Sequence, residues 1–110
     1  MSYYNLTDVV QKIREHKFVI NPNAIKCAYQ DFGWGKDEIV AALKNLRAKH
    51  FLRTIPFRTK QGNVVDGVMV DHYGGIINQE DIYTHFYIED DFLVINSFKR
   101  NTPLPIQVIR

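Results

Sequence analysis

The sequence contains one cysteine, Cys27, in 110 residues. A lone thiol forms neither an internal disulfide nor a cysteine metal cluster, which suits a reducing cytosol. Cys27 falls at the edge of an apolar helical stripe with Ile25 and Ala28, so it reads as a packed thiol rather than a nucleophile. Long apolar runs are missing as well. None approaches the roughly 20 residues that cross a bilayer, and Met1-Ser2-Tyr3-Tyr4 has neither a basic lead nor an apolar signal core. Membrane insertion and export are therefore not expected, and the cytoplasm is the expected location. Excess charge is scarce too, with 14 Lys plus Arg against 12 Asp plus Glu, a net of +2 that by itself argues for no particular partner. There is no internal repeat and no low-complexity linker. With 45% of residues hydrophobic, disorder is excluded and a single domain over residues 1–110 is expected.

What is present divides the chain in two. Leu6, Val9, Val10 and Ile13 fall at i, i+3, i+4 and i+7, with Asn5 or Thr7 as cap and Asp8 in the first turn, predicting a short amphipathic helix. Asn21-Pro22-Asn23 provides a cap followed by a first-turn proline. Ile25, Ala28, Tyr29 and Phe32 then repeat the spacing until Gly33 ends a second helix. Ile39, Ala42, Leu43 and Leu46 mark a third between Lys36 and His50, with acids early and Arg47, Lys49 and His50 late, as the helix dipole favours.

From Phe51 the period changes. Phe51 to Phe57, Val64 to Tyr73, Ile82 to Ile88 and Phe92 to Phe98 are rich in aromatic and β-branched residues. They are separated by Gln61-Gly62-Asn63, Gly74-Gly75 and Glu89-Asp90-Asp91, and read as four strands. Short connections favour antiparallel neighbours. The expected fold class is α+β: N-terminal helices, about residues 6–50, packed on a C-terminal antiparallel sheet of about four strands, about residues 51–100. Pro103 and Pro105 make residues 101–110 an extended tail.

Charge is segmented along the chain. From Lys44 to Lys60 there are six basic residues and no acid, whereas Gly62 to Asp91 holds seven acids and no Lys or Arg. A basic run at a helix end and along the next strand fits a phosphate backbone. It equally fits a solvated face, a lysine-guarded edge strand, or pairing with the acids downstream.

The segment Ile82 to Ile88 carries unusual side chains. Period two places Tyr83, His85 and Tyr87 on one face and Ile82, Thr84, Phe86 and Ile88 on the other. A three-residue turn at Glu89-Asp90-Asp91 sets Tyr83 opposite Ser97 with Lys99 nearby. A two-residue turn at Asp90-Asp91 reverses that parity. Metal-free cleavage of an RNA phosphodiester needs a base for the 2′-OH, a cation for the phosphorane charge and an acid for the leaving 5′-oxygen, which Tyr, His, Lys and Arg can supply. Tyr83 and Tyr87 can also stack on bases. Tyr and His are equally good formers of an ordinary half-exposed strand.

The other histidines say less. His16 reads as a solvated residue after the first helix and His50 as a dipole partner ending the third, while His72 is either a second member of the Tyr83 site or a surface residue. His72 and Asp71 are adjacent on a strand and so face opposite ways, and no metal spacing surrounds them. No metal and no cofactor are expected: Gly33-Trp34-Gly35 and Gly74-Gly75 match no phosphate-cradling fingerprint, and Trp34 is expected to pack the loop between helices two and three.

Several segments together look familiar: Tyr4-Asn5-Leu6 with Val9, the alanine-bearing helix ending at Phe32-Gly33, and the helix from Glu38. With them come His50-Phe51-Leu52-Arg53-Thr54, Asp71-His72-Tyr73, and Ile82-Tyr83-Thr84-His85-Phe86-Tyr87-Ile88 leading to Ser97-Phe98-Lys99. Over nearly the whole chain they resemble the motility quorum-sensing regulator (MqsR) family of bacterial toxins. The resemblance implies a RelE-like microbial ribonuclease architecture and a metal-independent, sequence-selective endoribonuclease that acts on single-stranded mRNA as the toxin of a type II toxin-antitoxin system. It also implies a cognate antitoxin protein as partner, with DNA contacted only through that antitoxin. On the same resemblance Arg53 stands where the family has a lysine, Tyr83 matches its strand tyrosine, Lys99 its final lysine, and His85 replaces a strand lysine. The family's glutamine falls on Val70, whose side chain makes no hydrogen bond.

The expected catalytic set is therefore Arg53, Tyr83, His85 and Lys99, with Lys49, Arg58, Lys60, Tyr87 and Arg100 contacting RNA. The rival expectations are a non-catalytic RNA-binding module and a protein-interaction domain on the same fold.

Overall fold

A computed structural model describes residues 1–59 and 61–101. Lys60 and the tail expected beyond Asn101 lie outside the described residues. The elements run α1 (Leu6–Arg14), β1 (Phe18–Ile20), α2 (Pro22–Phe32), α3 (Lys36–Lys44), a 3-10 turn (Ala48–His50), β2 (Phe51–Arg58), β3 (Val64–Ile77), β4 (Glu80–Glu89) and β5 (Phe92–Arg100). The α+β class with helices first is as expected, but the sheet has five strands in the order β1-β5-β4-β3-β2 and is mixed. The added strand, β1, pairs in parallel with β5, Phe18 opposite Leu93 and Ile20 opposite Ile95. A parallel pair needs a long crossover, and here everything from α2 to β4 forms it. No helix among the described residues is long and apolar enough to cross a membrane.

Helix α2 shows how its sequence sets its ends. The Asn21 side chain accepts the backbone N–H of Asn23 at 2.8 Å, Pro22 opens the helix, and Gly33 closes it with φ +73°. Its buried positions are Ala24 and Ala28, while Tyr29 of the expected stripe is 70% exposed. Helix α3 stops at Lys44, short of the expected His50. Leu46 turns into the core, and His50 is buried, its Nδ1 accepting the Arg47 N–H at 2.9 Å, so it caps a tight turn instead of meeting a helix dipole in water. Trp34 packs the α2–α3 loop as expected, its ring 4.9 Å from Phe32 and 6.1 Å from Phe98.

Gly74-Gly75 does not end a strand. Strand β3 runs through it to Ile77, and the β3–β4 turn is Asn78-Gln79, with φ +51° and +72°. Gly75 has φ +146°, and a Cβ there would stand 2.9 Å from the His50 ring, so the glycine permits a close approach instead of breaking the strand.

One face of the sheet is covered by the helices, and its core joins Val9, Ile13, Ala28, Ile39 and Leu43 to Tyr73, Phe86, Ile95 and Phe98. On this same covered face Asp71 is fully buried. It accepts the backbone N–H groups of Tyr3 at 2.9 Å and Tyr4 at 2.8 Å and the Thr54 hydroxyl, tying the N-terminal segment and β2 to β3. Removing the carboxylate strands these donors, so Asp71→Ala is expected to lower the unfolding free energy by about 2–3 kcal/mol in urea titrations. A loss below about 0.5 kcal/mol, the range of an ordinary surface change, would show that the N-terminal segment is held by other contacts.

Candidate functional site

The open face of the sheet carries the residues singled out above, and backbone irregularities decide which of them reach it. The β4–β5 turn has two residues, Asp90-Asp91, so Glu89 pairs with Phe92. That is the shorter of the two turns considered, and alone it would send Lys99 to the covered face. Strand β5, however, holds an extra residue: His85 pairs with Ser97 and Phe86 with Ile95, leaving Asn96 as a bulge. The bulge restores parity, and Tyr83 faces Lys99 where Ser97 was expected, with Lys99 Nζ 5.7 Å from the centre of the Tyr83 ring. Strand β2 does the same. Phe51 pairs with Tyr73 and Arg53 with His72, so Leu52 is an extra residue. Without it, Arg53 would share the covered face of Phe51, which packs on Tyr73 at 5.6 Å.

Three rings form the middle of this face. The Tyr83 hydroxyl bonds His72 Nδ1 and lies 3.3 Å from His85 Nδ1, and the two imidazoles sit 4.6 Å apart, edge to face. Asn96 Nδ2 stands 3.4 Å from His85 Nε2. His72 is 5% exposed, which settles its two readings: it belongs to the Tyr83 cluster. Burial drives the electrostatics. It pushes His85 down to about 4, with His72 and Lys99 adding to the effect, and it lowers His72, aided by Arg53. Both rings are therefore neutral at pH 7. Burial raises Tyr83 while Arg53 opposes it, so the phenol keeps its proton.

Two depressions flank the rings. One is a cationic cleft lined by Leu52, Arg53, Tyr83, Lys99 and Asn101. The other is a mainly apolar pocket lined by Ile55, Pro56, Phe57, Arg58, Val70, His72, His85 and Asn96. Arg53 and Lys99 are exposed at the first. Tyr87 is half-buried and packs on Phe57 at 5.3 Å. Arg58 is exposed at the pocket rim and donates to the Gly62 carbonyl at 3.1 Å. Lys49 is exposed on the 3-10 turn before β2.

Arg100 is not on this face. It pairs with Ile82 on the covered side, its guanidinium bonding the Asp31 carbonyl at 2.8 Å and lying 5.1 Å from the Phe32 ring, and its backbone N–H reaching the Asp31 carboxylate. One residue after Lys99, it points the other way, and it works as a clamp between β5 and α2. Two acids of the second half likewise find partners outside the basic run: Asp91 pairs with Lys12 and Lys17, and Glu80 with Arg100.

Asn96 was not foreseen in the sequence. An asparagine within a β-branched segment is a weak sign of a bulge, and only the pairing of β4 with β5 turns it into a site residue. A scan against protein-family models finds no match to this chain, and a search of curated proteins finds none.

The depressed histidines make stability depend on pH. An unfolded histidine titrates near 6.5, whereas folded His85 does so at about 4. The unfolded chain thus binds more protons between those values, and the unfolding free energy is expected to fall as pH drops from 6.5 towards 4. His72 and His50, both lowered chiefly by burial, act in the same direction. His85→Phe should show a smaller fall from pH 7 to pH 4 than the parent in urea titrations, and equal falls would show that His85 is not desolvated.

Proposed function

We propose that the protein is a metal-independent endoribonuclease acting on single-stranded RNA, and that the open face of the sheet is its active site. The observation that carries the reading is a phenol set against two neutral imidazoles, with two exposed cations, Arg53 and Lys99, bordering the same cleft. Base, acid and counter-charge are then all side chains of this chain.

In this reading the scissile phosphate lies in the cleft. As the 2′-oxygen attacks phosphorus, its proton passes to the Tyr83 oxygen while the phenolic proton moves to a neutral imidazole beside it. Tyr83 relays the proton, and the imidazole is the base. Arg53 holds charge on the non-bridging oxygens. It carries a fixed positive charge and gives up no proton, unlike the lysine of the family it resembles. The bond to the 5′-oxygen breaks as Lys99 donates a proton to it, giving a 2′,3′-cyclic phosphate and a 5′-hydroxyl. Tyr87 and Arg58 border the path of the chain next to the pocket. The resemblance to the MqsR family supports the further reading of a type II toxin whose cognate antitoxin covers this face. Val70, at the family's glutamine position, lines the apolar pocket and takes no part in the proton path.

Incubation with a long single-stranded RNA in excess EDTA is expected to give discrete fragments ending in cyclic phosphate. Lys99→Ala, Arg53→Ala and Tyr83→Phe should each cut the rate by about 100-fold or more. The first two residues are exposed, so their variants should unfold within about 0.5 kcal/mol of the parent. Unchanged cleavage in all three would overturn the site. RNA bound with steep salt dependence and left intact would replace the nuclease with a binding module.

A further inference from the structure

The three rings hold a question of direction. A phenol between two imidazoles can donate to only one of them, and a neutral imidazole carries a proton on one nitrogen alone. Either His72 or His85 receives the phenolic proton, and the choice fixes what each ring shows to its surroundings.

The direction is set outside the cluster, by a backbone amide. The Asn23 N–H at the start of α2 can only donate, and it donates to Asn21 Oδ1 at 2.8 Å. The other end of the Asn21 amide is therefore Nδ2, which donates to Asn96 Oδ1 at 3.4 Å. Asn96 then turns its own Nδ2 to His85 Nε2 at 3.4 Å, so that nitrogen must be an acceptor. His85 consequently carries its proton on Nδ1 and donates to the Tyr83 oxygen, and the Tyr83 hydroxyl donates to His72 Nδ1. His72 is left with its proton on Nε2. Among the described residues that nitrogen is buried without a hydrogen-bond partner, and His72 is 5% exposed and lines the apolar pocket. A buried N–H without an acceptor costs free energy until a ligand supplies one.

We propose that the apolar pocket is a nucleobase subsite in which His72 Nε2–H donates to an acceptor atom on the base, with the direction of that donor fixed from the start of α2 through Asn21 and Asn96. The walls favour a base over a phosphate: Ile55, Pro56, Phe57 and Val70 offer apolar surface to a planar ring and little to an anion. The pocket and the cationic cleft lie on either side of the same rings, so a base in one and a phosphate in the other belong to one nucleotide strand. Ile55, 39% exposed, stands at the pocket wall where a base enters. This rests on the reading of the face as an RNA site and makes His72 the ring that receives the phenolic proton. A base acceptor bonded to Nε2–H then holds the imidazolium formed in the reaction, so recognition is strongest when the proton has moved. Asn21 and Asn96 are positioning residues.

The test reads the rings directly, on the whole protein labelled with ¹⁵N-histidine at pH 7. Long-range ¹H–¹⁵N spectra should show His72 protonated at Nε2 and His85 at Nδ1, and the opposite assignment would overturn the proposal. In titrations with the four ribonucleoside monophosphates, at least one should move the His72 Nε2 signal, whereas inorganic phosphate should not. If phosphate moves it equally, or if no nucleotide moves it, the base subsite is refuted. His72→Asn keeps an amide towards Tyr83 and withdraws the pocket donor, and should weaken the tightest nucleotide about tenfold, while His72→Gln, which reaches to the Nε2 position, should restore most of the loss. Equal affinity in His72→Asn would overturn the donor role. Nucleotide binding as described without RNA cleavage would uphold the subsite and refute the nuclease, and cleavage with unmoved His72 signals would do the reverse.

Discussion

Side chains along a β-strand alternate between two faces, and both exposed cations of the candidate site stand where they do because that alternation is interrupted. Regular pairing with the observed turn would bury Lys99 against the helices, and regular pairing of β2 would bury Arg53 against Phe51. The extra residues Asn96 and Leu52 shift each strand by one position, and both cations emerge on the side of Tyr83. Each bulge gives up ladder regularity for the placement of one charge. The bulge in β5 also contributes its own side chain, since Asn96 touches His85.

Behind this arrangement lies a division between buried neutral groups and exposed charged ones. The rings of His72 and His85 are desolvated enough to stay uncharged, and Tyr83 keeps its proton for the same reason. The charges stay at the rim, where water offsets their cost. The fully buried carboxylate of Asp71 sits on the opposite side of β3 from His72 and is occupied by backbone amides and a hydroxyl. One strand thus separates a buried carboxylate from a buried neutral imidazole at adjacent positions.

Much of this was legible in the sequence, and the failures share one cause. Asn21-Pro22 and Gly33 marked the ends of α2 because capping is local chemistry. The Tyr83–His85–Tyr87 face followed from period two alone. The three-residue strand β1 was invisible, because Phe18-Val19-Ile20 is too short to show a period and is held by β5, far along the chain. Gly74-Gly75 read as a break because glycine so often makes one, whereas here it admits the His50 ring. The partner of Tyr83 and the clamp at Arg100 both hinged on pairings between distant segments. The two-residue turn and the one-residue bulge cancelled in parity, so Lys99 came to the face of Tyr83 by a route that neither turn alone described.

Strand β5 has a consequence for how the protein is made. It pairs with β1 on one side and β4 on the other, and it alone brings Asn96 and Lys99 to the rings. It is also the last of the described strands to be translated. A chain growing at about 5–20 residues per second spends its synthesis with the rings lacking the Asn96 contact and with one cation missing. A prematurely released fragment that stops before residue 96 inherits the same defects. The sheet is therefore closed only when β5 inserts between β1 and β4, and the same step brings Asn96 and Lys99 to the rings.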